Sequence, residues 1–156
     1  MRKNVPWRET LMVALATRIP GGIFALVQLL RLRPLRRLPL ALGWMTKRPI
    51  PHEVTDAWFR PVITQREIRR DLAKYTGAAK KGDMLAATES LRTFDRPALV
   101  IWAKEDRVMP PSHGKRLAEL LPHGRLIEIA DSYTLIPEDQ PGELARAIRQ
   151  FIRDTP

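Results

Sequence analysis

Two short stretches concentrate the side chains that could move protons. Lys104, Glu105, Asp106 and Arg107 stand in a row, and Tyr133, Thr134, Glu138 and Asp139 follow Asp131 in a second stretch. Carboxylates held close together can divide acid and base work when their surroundings separate their pKa values. Asp131, Glu138 and Asp139 form such a cluster around Thr134, whose hydroxyl can donate or accept a hydrogen bond but cannot act as a base near neutral pH. Glu138 and Asp139 also stand just ahead of a periodic apolar segment, where carboxylates are favoured by the helix dipole, and this simpler role is the one expected of them. Asp106 precedes Val108 by two residues and can tighten its own loop by accepting backbone N–H bonds. The three histidines, His52, His113 and His123, lack metal-ligand spacing. His113, near the start of a helical segment, is expected to be solvated, and His123 to lie at the far end of the neighbouring strand. There is no cysteine, which excludes disulfides, thiolate metal sites and cysteine nucleophiles. No metal or cofactor is implied, because no glycine-rich phosphate loop is present either.

The elements that must position these residues are two strands and a crossover. Ala98–Trp102 and Arg125–Ala130 are short apolar runs of the kind that form parallel strands buried on both faces. Apolar residues recur at helical spacing over Ser112–Leu121, giving the connection that a βαβ unit needs. In such sheets function gathers in the loops after the strands, which is where both polar stretches fall. From Gly142 onward, Leu144, Ala147, Ile148 and Phe151 mark a final helix packed on the sheet.

With these elements in place the chain resembles the α/β-hydrolases, in their carboxyl-terminal part. Trp102–Pro110 is similar to the W-G-x-x-D-x-[VI]-x-P loop that ends the penultimate strand of that family, with Ala103 in place of the glycine. The resemblance gives Asp106 the position of the catalytic acid. The last strand then runs into a loop of the family's G-H-x-x-x-x-E-x-P type, whose spacing maps Tyr133 onto the glycine, Thr134 onto the catalytic histidine, Asp139 onto the glutamate and Pro141 onto the proline. Thr134 thus leaves Asp106 without an imidazole to orient. No G-x-S-x-G elbow occurs in the chain, and no strand-rich half precedes Asp106 that could hold an aspartate nucleophile or the oxyanion loop. The expectation is an α/β fold comprising the carboxyl-terminal βαβα portion of an α/β-hydrolase, preceded by a helical cap, with the remainder missing. A complete protein of this kind would hydrolyse a small-molecule ester or, with an aspartate nucleophile, a carbon–halogen or epoxide bond; this chain alone is expected to be inactive.

Residues 1–92 read as the helical cap-like region and 93–156 as the core portion. Helices are expected over residues 8–18, 21–32, 52–62, 65–75 and 83–92, the last capped by Asp83. Pro34, Pro39, Pro49 and Pro51 break the intervening stretch. Because the family's cap lines the substrate site, Trp44, Trp58 and Phe59, with Phe24, are the candidate substrate contacts, although aromatics at helical spacing more often pack in a core. The net charge is +10, and residues 1–50 hold ten Lys/Arg against Glu9 alone. Arg31–Arg37 (RLRPLRR) has no aromatic interleaving and no nucleic-acid motif, and the arginines are expected to snorkel over apolar helix faces. No apolar run reaches the length needed to span a bilayer, and a cytoplasmic protein without a nucleic-acid or membrane partner is expected. The alternative is a non-catalytic cationic module that binds anionic lipid, nucleic acid or a protein partner. An unpaired strand edge would also invite self-association.

Overall fold

The computed structural model describes residues 22–29, 31–78 and 81–155. The helix expected over residues 8–18 lies outside them. The described residues fall into two compact units, one containing residues 22–41 and 50–78, the other residues 42–49 and 81–155.

The second unit holds the sheet. β1 (Ala98–Ala103) and β2 (Gly124–Ile129) pair in parallel, in a register running from Ala98 opposite Gly124 to Ala103 opposite Ile129. Between them runs a helix, Pro111–Leu120, whose proline at the first turn fits a position that has no backbone hydrogen bond to lose. Its Gly114 is buried because the helix lies directly on Trp102: a Cβ there would come within 2.7 Å of the indole. Ala103, Ile129 and Ile136 form the buried apolar cluster, with Ile101, Ile127 and Leu144 packed around it. Leu144 is carried by the last helix, Pro141–Asp154, which turns Leu144, Ala147 and Phe151 inward as the spacing predicted and leaves Ile148 at the surface.

Burial on both faces is not reached. Val100 and Ala103 are buried in β1, but Leu99, Ile101 and Trp102 are only half-buried. The physical reason is the width of the sheet, which among the described residues has two strands; apolar side chains selected for double coverage here have neighbours on one edge only. The helix preceding β1 also starts earlier than expected. It spans Lys81–Ser90, so Asp83 lies within its first turn, where it favours the dipole, and does not cap it.

The first unit is helical: Gly22–Leu29, a 3₁₀ turn at Arg33–Arg37, then His52–Thr64 and Arg66–Ala78. Pro61 inside the third of these removes one helical N–H. Two carbonyls just beyond it, those of Val62 and Ile63, accept bonds from the Arg69 guanidinium, each at 2.9 Å, which satisfies the end of one helix from the next. Arg36 is buried, donating to Thr55 Oγ1 (2.9 Å) and to Asp56, with its guanidinium 5.3 Å from the centre of the Phe59 ring.

Gly114→Ala is expected to destabilise the protein by about 1–3 kcal/mol, because the new methyl group must displace Trp102. Gly142→Ala, with nothing within 4 Å of the added Cβ, is expected to stabilise by up to about 1 kcal/mol. Urea unfolding of the two variants checks both signs.

Candidate functional site

The loop after β1 is built by Asp106. Its Oδ1 accepts the backbone N–H of Val108 and of Met109, each at 2.8 Å, closing the turn as the sequence predicted. Trp102 Nε1 donates to the Met109 carbonyl at 3.2 Å and holds the far side of the loop to the strand. The same Asp106 oxygen accepts a third bond, from the Thr134 hydroxyl, at 2.8 Å. The two positions singled out by sequence therefore meet, although 28 residues separate them. Both are half-buried. Since Asp106 accepts and Thr134 donates, the pair has the polarity of a carboxylate orienting an N–H donor, but the donor is a hydroxyl that cannot act as a base near neutral pH.

No histidine takes part in it. His113 is exposed in the first turn of its helix and lines an open groove of about 610 Å³ with Leu85, Glu89, Arg92 and Arg116. His123 Nε2 lies 3.0 Å from Asp95, and the His123 carbonyl accepts from Ala98 at the beginning of β1, the end opposite the Asp106 loop. Both positions agree with the roles expected for them.

Asp139 departs from its expected role. The exposed Glu138 sits at the surface as a helix-start carboxylate should, but Asp139 is 5 % exposed and is used from elsewhere in the chain. Its two carboxylate oxygens accept the backbone N–H of Lys47 (3.0 and 2.8 Å), of Arg48 (2.9 Å) and of Tyr133 (2.9 Å). The Arg48 guanidinium returns to the Asp139 carbonyl at 2.7 Å. Three peptide groups from two segments thus converge on one buried carboxylate, and three oriented N–H dipoles within bonding distance outweigh the diffuse field of a helix end.

Around it is a charged ring that sequence reasoning missed. Lys47 Nζ pairs with Glu105 and, at 3.0 Å, with Asp131; Arg48 pairs with Asp131; and Glu105 accepts the Asp131 N–H at 3.0 Å. Asp131 adopts φ = 56°, a left-handed conformation that aspartate tolerates better than most residues, and Gln140 donates to its carboxylate at 3.1 Å. Tyr133, buried, has the Arg107 guanidinium 4.6 Å from its ring centre. The hydrogen bond from Lys47 is the main cause that holds the Glu105 and Asp131 carboxyls below the usual carboxylate range, with Arg48 adding to the effect on Asp131. In turn Glu105, then Asp131, raise the Lys47 ammonium above its usual range. Lys47 and Arg48 carry no local signal, since they stand in a proline-broken stretch without periodicity, some ninety residues from Asp139.

Of the aromatic candidates, Trp44 belongs to the sheet-bearing unit and is partly exposed; Trp58 and Phe59 belong to the helical unit, Trp58 being exposed and Phe59 covered by Arg36. Phe24 is exposed, with Arg69 5.2 Å from its ring centre. Among the described residues no group of His, Cys, Asp and Glu is arranged to hold a metal ion, and no helix is long and apolar enough to cross a membrane.

The chain is similar to known proteins in sequence and in fold. The chain is 32 % identical over 107 residues to a Bacillus subtilis protein named "Uncharacterized hydrolase YugF", a match covering 69 % of this chain and 38 % of that protein. Among solved structures it resembles MenH from S. aureus (18 % identity, TM-score 0.68, covering 96 % of this chain and 53 % of the other) and an α/β-hydrolase fold protein from Burkholderia ambifaria (20 % identity, TM-score 0.61, covering 93 % and 50 %). A third likeness is to MGS-M2, an α/β-hydrolase enzyme from a deep-sea metagenome (17 % identity, TM-score 0.60, covering 99 % and 54 %). No family model matches the chain. The fold is thus part of an α/β-hydrolase fold. The chain is an α/β-hydrolase-like protein whose relatives include a hydrolase, and it spans between about a third and about half of the length of these proteins.

Asp139→Asn replaces an acceptor by an amide that presents N–H groups to N–H groups. It is expected to cost about 2–3 kcal/mol in urea unfolding, whereas Glu138→Gln should stay within about 0.5 kcal/mol of wild type.

The charged ring has a pH signature. Lowered carboxyls contribute stability that is complete above their unfolded pKa of about 4 and lost as pH falls through the folded value. A raised ammonium contributes stability that is complete below about 10.4 and lost as pH rises through its folded value. The stability difference between wild type and Lys47→Gln is therefore expected to be level from about pH 5 to pH 9 and to shrink at both extremes. Thermal unfolding from below about pH 4 to above about pH 10, repeated in high salt to screen the exposed charges, measures it.

Proposed function

We propose that this chain supplies the acid-bearing part of a hydrolase site for a small-molecule ester, with Asp106 in the acid position, and that by itself it does not turn over. The observation that carries this is the 2.8 Å bond from Thr134 Oγ1 to Asp106 Oδ1. Two loops, each following a parallel strand, bring the residues at the acid and histidine positions of the resemblance into direct contact. In such a site the acid orients an imidazole and stabilises the imidazolium formed when the nucleophile loses its proton. Threonine fills the place of the imidazole and satisfies the carboxylate without supplying a base. The proposed nucleophile and oxyanion donors lie in chain that this sequence does not contain, as the partial coverage of its relatives supports. Of the aromatic candidates, Trp44, which belongs to the same unit as Asp106, is the proposed apolar contact for the substrate.

The purified chain is expected to hydrolyse p-nitrophenyl butyrate no faster than buffer, and Asp106→Asn should change nothing. Turnover that disappears in Asp106→Asn would overturn the view of an incomplete site. A second measurement tests the acid position itself. In Thr134→His the new imidazole should accept its orientation from Asp106, and its NMR titration should lie above the ordinary histidine value of about 6.5. An unshifted titration would remove Asp106 from the acid role.

A further inference from the structure

The charge of this protein is unevenly held. Over the described residues the helical unit carries nine Lys/Arg against four Asp/Glu, while the sheet-bearing unit carries thirteen against twelve. Within the helical unit the 3₁₀ turn at Arg33–Arg37 sorts its arginines. Three residues per turn bring positions i and i+3 over one another, so Arg33 and Arg36 share one column, Pro34 and Arg37 a second, and Leu35 stands in a third that Leu32 and Leu38 continue through i to i+3 backbone bonds of 2.9 and 3.2 Å.

The first column is consumed within the protein. Arg33 pairs with Asp56 at 3.0 Å, and the buried Arg36 bonds the same carboxylate and Thr55. That leaves Arg31 and Arg37, both exposed and without an acidic partner among the described residues. Beside them Leu29, Leu32 and Leu38 are 53 %, 58 % and 50 % exposed. Arg36, which covers Phe59, therefore plays the part expected of the whole arginine stretch, and Arg31 and Arg37 do not.

We propose that Leu29, Arg31, Leu32, Arg37 and Leu38 form a peripheral docking surface for an anionic lipid bilayer. Each half of the surface needs the other from its partner. Branched aliphatic side chains in water gain by entering the acyl boundary, and guanidinium groups at their side meet phosphate and carboxylate headgroups without leaving water. An uncharged protein groove would take the leucines but offer the cations nothing. A single-stranded nucleic acid would use the cations but finds no aromatic side chain among these residues for its bases to stack on. The binding proposed is peripheral and reversible, carried by leucine side chains at the acyl boundary and by guanidinium groups at the headgroups.

The test is co-sedimentation of the purified 156-residue chain with vesicles of phosphatidylcholine, with and without a third of phosphatidylserine. The chain is expected to partition onto the anionic vesicles, to leave phosphatidylcholine alone unbound, and to be released by added salt. Arg31→Gln/Arg37→Gln should lower the partition coefficient about tenfold or more, and Arg33→Gln, whose charge is already engaged by Asp56, should lower it less. Leu32→Ser/Leu38→Ser should weaken binding while keeping its salt dependence. Circular dichroism of these surface variants establishes that each is folded. Equal binding to neutral vesicles, or an undiminished partition of the double arginine variant, would overturn the proposal. So would a DNA oligonucleotide that binds with the same arginine dependence and is indifferent to the leucine substitutions, which would assign the cations to nucleic acid.

Discussion

The carboxylate of Asp139 is the constraint on which the sheet-bearing unit depends. A buried charge without partners would cost several kcal/mol, and here three backbone N–H groups, from Lys47, Arg48 and Tyr133, make its burial possible. The bonds also decide local structure. They hold residues 47 and 48 against the turn that follows β2, and with the Leu135 N–H bonded to the Met45 carbonyl at 2.8 Å they give a stretch without regular structure a defined path. The position of Thr134, one residue beyond Tyr133, follows from that anchoring, and so does its contact with Asp106. The contact between Thr134 and Asp106 is thus held in place by a carboxylate that takes no part in it.

A division of labour follows between the buried and exposed acids. Asp139 works through oriented peptide dipoles in a water-poor place, where geometry is everything and salt has little effect. Glu105 and Asp131 work through exposed ion pairs with Lys47 and Arg48, which water and salt weaken. The first fixes the segment, and the second trims its orientation. Arg107 and Lys47, both near the Tyr133 ring, add cations to the face of an aromatic side chain whose own backbone is already fixed.

What could be read in the sequence was whatever depends on near neighbours in the chain. Strand runs such as Ala98–Trp102, the crossover helix and the final amphipathic helix are written in periodicity, and each is found within a residue or two of its expected bounds. The closure of the loop by Asp106 is a contact of two and three residues and was equally legible. Its bond to Thr134 could be anticipated only through the resemblance, because the spacing alone does not say which parts of two loops will touch. The partnership of Asp139 with Lys47 and Arg48 was not legible at all. It joins residues that are distant in the chain through backbone N–H groups, which every residue except proline possesses, so that side-chain identity leaves no trace of it. Likewise RLRPLRR shows four arginines, but the period of three that separates the two engaged by Asp56 from the two that face outward is a property of the turn.

The stretch Leu42–Pro49 groups with the strands, although the chain before and after it belongs to the helical unit. In terms of modular exchange, this interleaving means that neither unit is a cassette. A cut between the helical segment ending at residue 78 and the helix starting at residue 81 would leave the helical unit carrying the strip, and Asp139 would lose the Lys47 and Arg48 peptide groups while keeping that of Tyr133. Recombination between relatives would therefore preserve the arrangement only by moving the strip together with the turn that receives it, so that residues 42–49 and the loop around Tyr133 are inherited as one piece.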